Sequence, residues 1–177
     1  VDERISTLVD RDLVDKLCKI PGVALTSTYT FIAEIADPER FENQKKVASW
    51  SGLAPSRYQT ARTQRHGHIT KQGSAWLRRI ATQSAKAASN SRSNLAQFHR
   101  RVAARRGTAV ATVALARRIV TIAWETIKTG QEYSEEDYAK KTRYHLKHGK
   151  AEHYNLTQIP RILSEASRIT NANTSCW

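Results

Sequence analysis

Apolar residues recur at three- and four-residue spacing through most of the chain. Ile5, Leu8/Val9, Leu13 and Leu17 trace one helical stripe over residues 2–19. Pro21–Gly22 ends it. Thr26 is placed to cap a second helix, which carries Tyr29, Ile32, Ala33 and Ile35 as far as Asp37–Pro38. Asn43 begins a short third helix with Val47 and Trp50 inward, stopped at Gly52. Ser74 opens a fourth, with Leu77, Ile80/Ala81, Ser84 and Ala88 inward and Arg78, Arg79 and Lys86 off that stripe. A polar run at 89–94 interrupts, after which Leu95, Phe98 and Val102 carry a fifth helix to Gly107. Thr108 is expected to cap a sixth, with Val113, Ala116, Val120, Trp124 and Ile127 inward and Gly130 just past its end. Ser134 with Asp137 resembles a capping box. Beyond about residue 145 the period weakens, and the Asn/Ser/Thr-rich end is expected to be mobile.

One interior stretch breaks the pattern. Residues 53–73 have no clear period and form an irregular basic loop in which a short hairpin could be accommodated. Loops of that length in a compact domain are usually functional. No internal repeat and no convincing sheet appear, so the fold class is all-α. The expected division is the end of a helical linker over 1–19, a main domain over 20–133, and a C-terminal helix and tail over 134–177.

Charge sharpens the picture. The 177 residues carry 29 Lys and Arg against 16 Asp and Glu, a net charge of +13. Acids sit at the two ends, and residues 43–124 contain none, while sixteen Lys and Arg fall in the same stretch. Surface charge that only maintained solubility would be mixed in sign. An uncompensated run repels itself unless phosphates neutralise it. Nucleic acid is therefore the expected partner. No apolar run reaches the ~20 residues of a membrane span and no signal peptide opens the chain. Cys18 and Cys176 make no disulfide framework, so a cytoplasmic, nucleoid-associated protein is expected. Met is absent even at position 1, and the chain is expected to be part of something longer.

Two motifs could carry chemistry. The turn at Pro21-Gly22-Val23-Ala24 between two helices resembles a helix-hairpin-helix. There, backbone N–H groups and the helix dipole can hold a phosphate without reading sequence. Gly22, Val23 and Ala24 are its candidate contacts, although Ala24 stands where a second Gly is usual; an ordinary helical turn is the equal alternative. The second motif is the loop, which combines Arg57, Arg62, Arg65, His66, His68 and Lys71 with hydroxyls and glycines. Two His without nearby Cys or carboxylate make a poor metal site, so His66 and His68 are better placed near phosphate. The Thr60 hydroxyl is a candidate nucleophile at phosphorus, or simply a turn hydroxyl. No general-base carboxylate and no Mg²⁺-holding acid cluster lies in 43–124. Arg78, Arg79, Arg100, Arg101, Arg105 and Arg106 are positioned on helices to track a nucleic-acid backbone.

Gly52-Leu53-Ala54-Pro55, then Gly67-His68-Ile69-Thr70-Lys71-Gln72-Gly73, then Leu77-Arg78-Arg79 occur in the order typical of one family. Over roughly residues 15–135 the chain resembles the C-terminal transposase domain of the bridge-RNA-guided insertion-sequence recombinases (the insertion sequence 110/1111 group, Piv-like transposases). The resemblance implies an enzyme that cuts and rejoins DNA. It further implies a separate carboxylate-bearing domain that binds Mg²⁺, and a serine in the present domain that forms a phosphoserine link to DNA. It also implies a guide RNA and a homo-oligomer as partners. No cofactor is expected in this part of the chain. The family's Ser-Gly pair falls on Thr60-Ala61; Thr keeps the hydroxyl but adds a methyl and stiffens χ1. Ser56 also carries a hydroxyl but lies out of register. The first reading is thus the DNA-binding domain of a recombinase with Thr60 at the serine position. The alternative is a non-catalytic helix-hairpin-helix module that binds DNA or RNA, and a basic structural RNA-binding protein is a third.

Overall fold

Twenty-two consecutive residues without Gly or Pro form the axis of the domain, helix α6 (Thr108–Thr129) in the computed structural model. The structure describes residues 9–60 and 63–140, with side chains for all of these except 57–66. Along the chain, α1 (Arg11–Cys18), α2 (Leu25–Ile35), a 3₁₀ turn (Pro38–Arg40) and α3 (Gln44–Trp50) precede a two-stranded hairpin of β1 (Pro55–Thr60) and β2 (Thr63–Ile69). Helices α4 (Ala75–Ser89), α5 (Asn94–Arg106) and α6 follow, and residues 135–140 begin a further helical turn. The domain is all-α with one small sheet, and the irregular loop expected over 53–73 is folded as that hairpin.

Helix α6 presents Ala111, Leu115, Ile119 and Ala123 at four-residue intervals, all fully buried. Leu17 of α1, Phe31 and Ile35 of α2, Val47 of α3, and Leu77, Ala81, Ala85 and Ala88 of α4 close the same core. Each large side chain buried there contributes about 1.5–3 kcal/mol. Residues 11–18, read from sequence as the end of a linker, thus give Val14 and Leu17 to the core. Trp124 donates its indole N–H to the Pro38 carbonyl at 2.9 Å, fixing the 3₁₀ turn on α6.

Small residues on α4 serve close approach. Gly22 has φ +82°, and a β-carbon there would lie 2.3 Å from the Ser84 carbonyl oxygen and 2.5 Å from the Ala88 nitrogen. Only glycine lets the α1–α2 turn seat against α4 at that distance.

Several local expectations need correction. Helix α2 starts at Leu25 with Ala24 at its N-cap, not at a Thr26 cap, because Thr26 already lies in the first turn. Helix α6 is preceded by Gly107 and has no side-chain cap, so Thr108 is its first residue. Trp50, expected inward, is 38 % exposed at the end of α3. Other start signals operate as read: Asn43 accepts from the Lys45 and Lys46 N–H groups, and Ser74 from Leu77 N–H at 3.1 Å. Ser134 likewise accepts from Asp137 N–H at 3.4 Å. Residues 1–8 and 141–177, with the tail expected to be mobile, lie outside the described residues.

Candidate nucleic-acid interface

The legs of the hairpin are held in a backbone clasp between α3 and α4. Thr70 N–H donates to Ala54 O at 3.0 Å, Lys71 N–H to Gly52 O at 3.2 Å, and Ser74 N–H to Trp50 O at 3.2 Å. Arg78 Nη1 donates to Lys71 O at 3.2 Å from the first turn of α4. Gly52 (φ +67°) and Gly73 (φ +107°) occupy the crossing. A β-carbon on Gly52 would lie 2.5 Å from Gln72 O, and one on Gly73 only 1.8 Å from Trp50 O. Leu53 anchors the clasp in the core. Two of the three sequence motifs thus meet in space: the Gly52–Pro55 run is one leg, and the Thr70–Gly73 end of the other run crosses it.

Beyond the clasp the strands pair antiparallel: Pro55 with Ile69, then Arg57 with His66, Tyr58 with Arg65, Gln59 with Gln64, and Thr60 with Thr63. The register shifts by one residue between Pro55 and Arg57, so Ser56 faces an extra residue on β2. Ser56 Oγ donates to His68 O at 2.9 Å there, which spends its hydroxyl on the bulge. Thr60 ends β1, one step before the two-residue connection 61–62. By backbone alternation Thr60, Tyr58, Arg65 and Thr63 share one face, and Arg57, Gln59, Gln64 and His66 the other. The side chains of Thr60, Arg57, Arg65 and His66, and the whole of Ala61 and Arg62, lie outside the described residues.

The remaining predicted contacts distribute over three places. His68 and Lys71 are exposed on the β2 leg, with Lys71 at φ +56°. Arg79 is exposed on α4, 5.8 Å from the Trp76 ring centre, while Arg78 is half-buried in the clasp. Arg100, Arg101, Arg105 and Arg106 are exposed on α5. At the α1–α2 turn, Val23 is in the core and Gly22 is packed on α4, leaving Ala24 exposed. The sequence therefore places Gly22 by a helix-packing requirement that its motif does not reveal.

The electrostatics follow the sequence. Lys16, Lys19, Lys128 and Lys140, all outside the acid-free stretch, form ion pairs with Asp12, Glu132, Glu39 and Asp137. Lys19 is held above the ordinary lysine range by its hydrogen bond and charge interaction with Glu132. Arg79, Arg101, Arg105 and Arg106 have no acidic partner among the described residues, so their charge is available to a polyanion. Among the same residues no group of three His, Cys, Asp or Glu could hold a metal ion. The donor set for Mg²⁺ is thus lacking there, and no step through Mg²⁺ is assigned to this chain. No helix of the described residues is long and apolar enough to cross a membrane.

Sequence reasoning missed two aromatic residues at this interface. Trp76, in the first turn of α4, is 64 % exposed, and its place off the Leu77–Ala81–Ser84 stripe was the available signal. Trp50 was read as inward from its spacing to Val47, yet it ends its helix and lies under Arg40, 4.7 Å from the guanidinium carbon.

The region that holds the clasp is matched by known proteins. The model of the IS116/IS110/IS902 transposase family matches residues 14–102, which span α1 to α5 and include the whole clasp and hairpin. The chain is similar to a putative transposase y4pF/y4sB of Sinorhizobium fredii, 31 % identical over 139 residues, covering 75 % of this chain and 36 % of that protein. It is also similar to a probable family 20 transposase of Pseudomonas aeruginosa, 29 % identical over 115 residues, covering 63 % of this chain and 34 % of that protein. The chain spans about a third of the length of these curated relatives. With the family model covering the hairpin clasp and the helices that hold it, the chain belongs to the IS116/IS110/IS902 transposase family.

Proposed function

We propose that this chain is the DNA-binding part of a transposase, docking on the phosphate backbone through its acid-free face and projecting the hairpin toward the strand to be exchanged. The observation that carries this reading is the set of exposed arginines on α4 and α5 with no acidic partner among the described residues, in the same acid-free stretch of chain as the hairpin. Phosphate contacts of this kind position a protein without specifying sequence. Thr60 closes β1 at the far end of the hairpin and is the residue proposed to attack phosphorus. Its Oγ1 would form the new bond to phosphorus as a sugar hydroxyl leaves, giving a covalent protein–DNA link. A guide RNA and a second copy of the chain are the further partners of this reading, and Mg²⁺ would be held by residues beyond those described.

The test is binding of duplex DNA by anisotropy across a salt series. If about six to ten phosphates are neutralised, affinity falls by roughly 10³–10⁵ between 50 and 200 mM salt. Absence of binding at low salt, or an affinity indifferent to salt, overturns the reading. Thr60 is tested separately, by mass spectrometry of trapped adducts in the full-length transposase with Thr60→Ser and Thr60→Ala. The adduct maps to Thr60, is lost in Thr60→Ala and forms faster in Thr60→Ser. An adduct that persists in Thr60→Ala removes Thr60 from the chemistry.

A further inference from the structure

Two indoles stand in solvent at the root of the hairpin. Trp50 is 38 % exposed and Trp76 64 %. They sit on elements tied together by the Ser74 N–H to Trp50 O bond, with Trp76 two residues beyond Ser74. Each carries an arginine: Arg40 lies 4.7 Å from the Trp50 ring centre, and Arg79 lies 5.8 Å from that of Trp76. Beside Trp50 opens a shallow groove of about 580 Å³, bounded by Arg40, Phe41, Lys46 and the Gln72–Gly73 crossing, with Glu42 its one acid.

We propose that this root is a stacking site for unpaired nucleobases, with Trp50 and Trp76 receiving base faces and Arg40, Lys46 and Arg79 following the strand's phosphates. The proposal rests on the nucleic-acid reading above and narrows it to one form of strand. An exposed indole offers a flat apolar face and a polar edge, and every base offers a complementary face whatever its sequence. In a duplex those faces are covered by neighbouring pairs, so the site selects strands whose bases are free. Charge complementarity favours nucleic acid over a protein surface: three cations border the two indoles against the single acid Glu42. Trp124, the third described indole, is 4 % exposed and bonded to Pro38, so exposure is a property of this place and not of the residue type.

The experiment measures anisotropy of labelled oligo(dT), oligo(U) and a duplex, each of about 20 units, with the parent chain and Trp50 and Trp76 variants. Trp76→Ala and Trp50→Ala should each weaken single-strand binding by about 5- to 100-fold and change duplex binding by less than about two-fold. Trp76→Phe and Trp50→Phe, which keep a ring, should retain most of the affinity. The stronger of the oligo(dT) and oligo(U) responses identifies DNA or RNA as the source of the bases. Single-strand affinities of both Ala variants within about two-fold of the parent overturn the proposal, as do equal losses on duplex and single strand. A change in self-association by sedimentation with binding intact would reassign the indoles to contact with a second copy and also overturn it. A parent chain that binds duplex but neither single strand refutes the stacking site alone, whereas no binding of any form refutes the nucleic-acid reading with it.

Discussion

Gly73 and Trp50 touch through their backbones: a β-carbon on Gly73 would lie 1.8 Å from the Trp50 carbonyl oxygen. The neighbouring Ser74 N–H bonds that same oxygen. The contact crosses the two legs of the hairpin and links α3 to α4, so position 73 admits glycine for both torsion and space. Gly73→Ala should therefore destabilise the domain by about 3 kcal/mol or more, combining left-handed strain with a backbone collision. Gly130→Ala is the control: φ is +67° but nothing lies within 4 Å, so the loss should be limited to about 1–2 kcal/mol. Urea unfolding followed by circular dichroism compares them, and equal losses would show that the clasp adds nothing to the torsion.

Arg101 and Arg105 stand one turn apart on the exposed surface of α5. Replacing each with Gln should lower the slope of log affinity against log salt by about one, uniformly across DNA sequences. His99, 8 % exposed and 3.3 Å from the Thr112 hydroxyl, lies within the packing of α5 on α6. His99→Gln should accordingly affect melting and leave the salt slope unchanged. A slope unaltered in Arg101→Gln/Arg105→Gln would remove α5 from the interface.

The 177-residue chain should not nick supercoiled DNA, with or without Mg²⁺. Residues 43–124 contain no carboxylate, and no metal-holding cluster occurs among the described residues. In-line displacement at phosphorus leaves charge on the departing oxygen, and arginines alone leave much of that barrier standing. Mg²⁺-dependent nicking by a nuclease-free preparation would show that the chain supplies its own ligands.

Tyr133 sets an alkaline limit. Burial, and then the charge of Glu135, push its phenol above the ordinary value of 10.0. A side-chain hydrogen bond to Glu135 adds to burial and charge in keeping the proton in place. Glu135 Oε2 accepts from the Asn94 N–H at 2.9 Å and from its amide at 2.6 Å, which fixes the carboxylate over the start of α5. Because folding raises this pKa, its contribution to stability is fully present below pH 10 and is lost as pH climbs beyond it. Tyr133→Phe should flatten that alkaline loss and, by removing the hydroxyl beside Glu135, lower stability at neutral pH by about 1 kcal/mol. Melting temperatures across pH 8–11 test it; a curve identical to the parent's would assign the loss to other groups.

The helices were legible because their signals are local. Asn43 and Ser74 each accept a backbone N–H within the first turn they precede, and period and cap agree at each. The caps at Thr26 and Thr108 were misplaced because α2 and α6 start without any side-chain cap, held instead by packing of Phe31 and Leu115. The hairpin was the harder element. Its strands are polar on both faces, so no alternation marks them, and only the register shows that Thr60 opposes Thr63. Cations and glycines mark the stretch as a candidate site in the sequence, but nothing there marks the clasp. Gly52 and Gly73 are 21 residues apart in sequence, and their closeness arises only once the strands pair.

The register shift at Ser56 has a consequence for how this domain tolerates change in chain length. Side chains alternate faces along a strand, so removing one residue from a leg turns over everything beyond it. Deleting Ser56 would carry Thr60 to the face now held by Arg57 and Gln59, although Thr60 itself would be untouched. Removing a residue from the β2 side of the bulge, such as Gly67, would instead straighten the ladder and reduce its twist, swinging the tip relative to α3 and α4. Substitutions along the strands, away from the clasp glycines Gly52 and Gly73, leave that count unchanged. The aim of the tip is therefore stored as a count of residues between clasp and turn, so a three-base deletion in a leg is a larger event for this hairpin than most exchanges of one side chain for another.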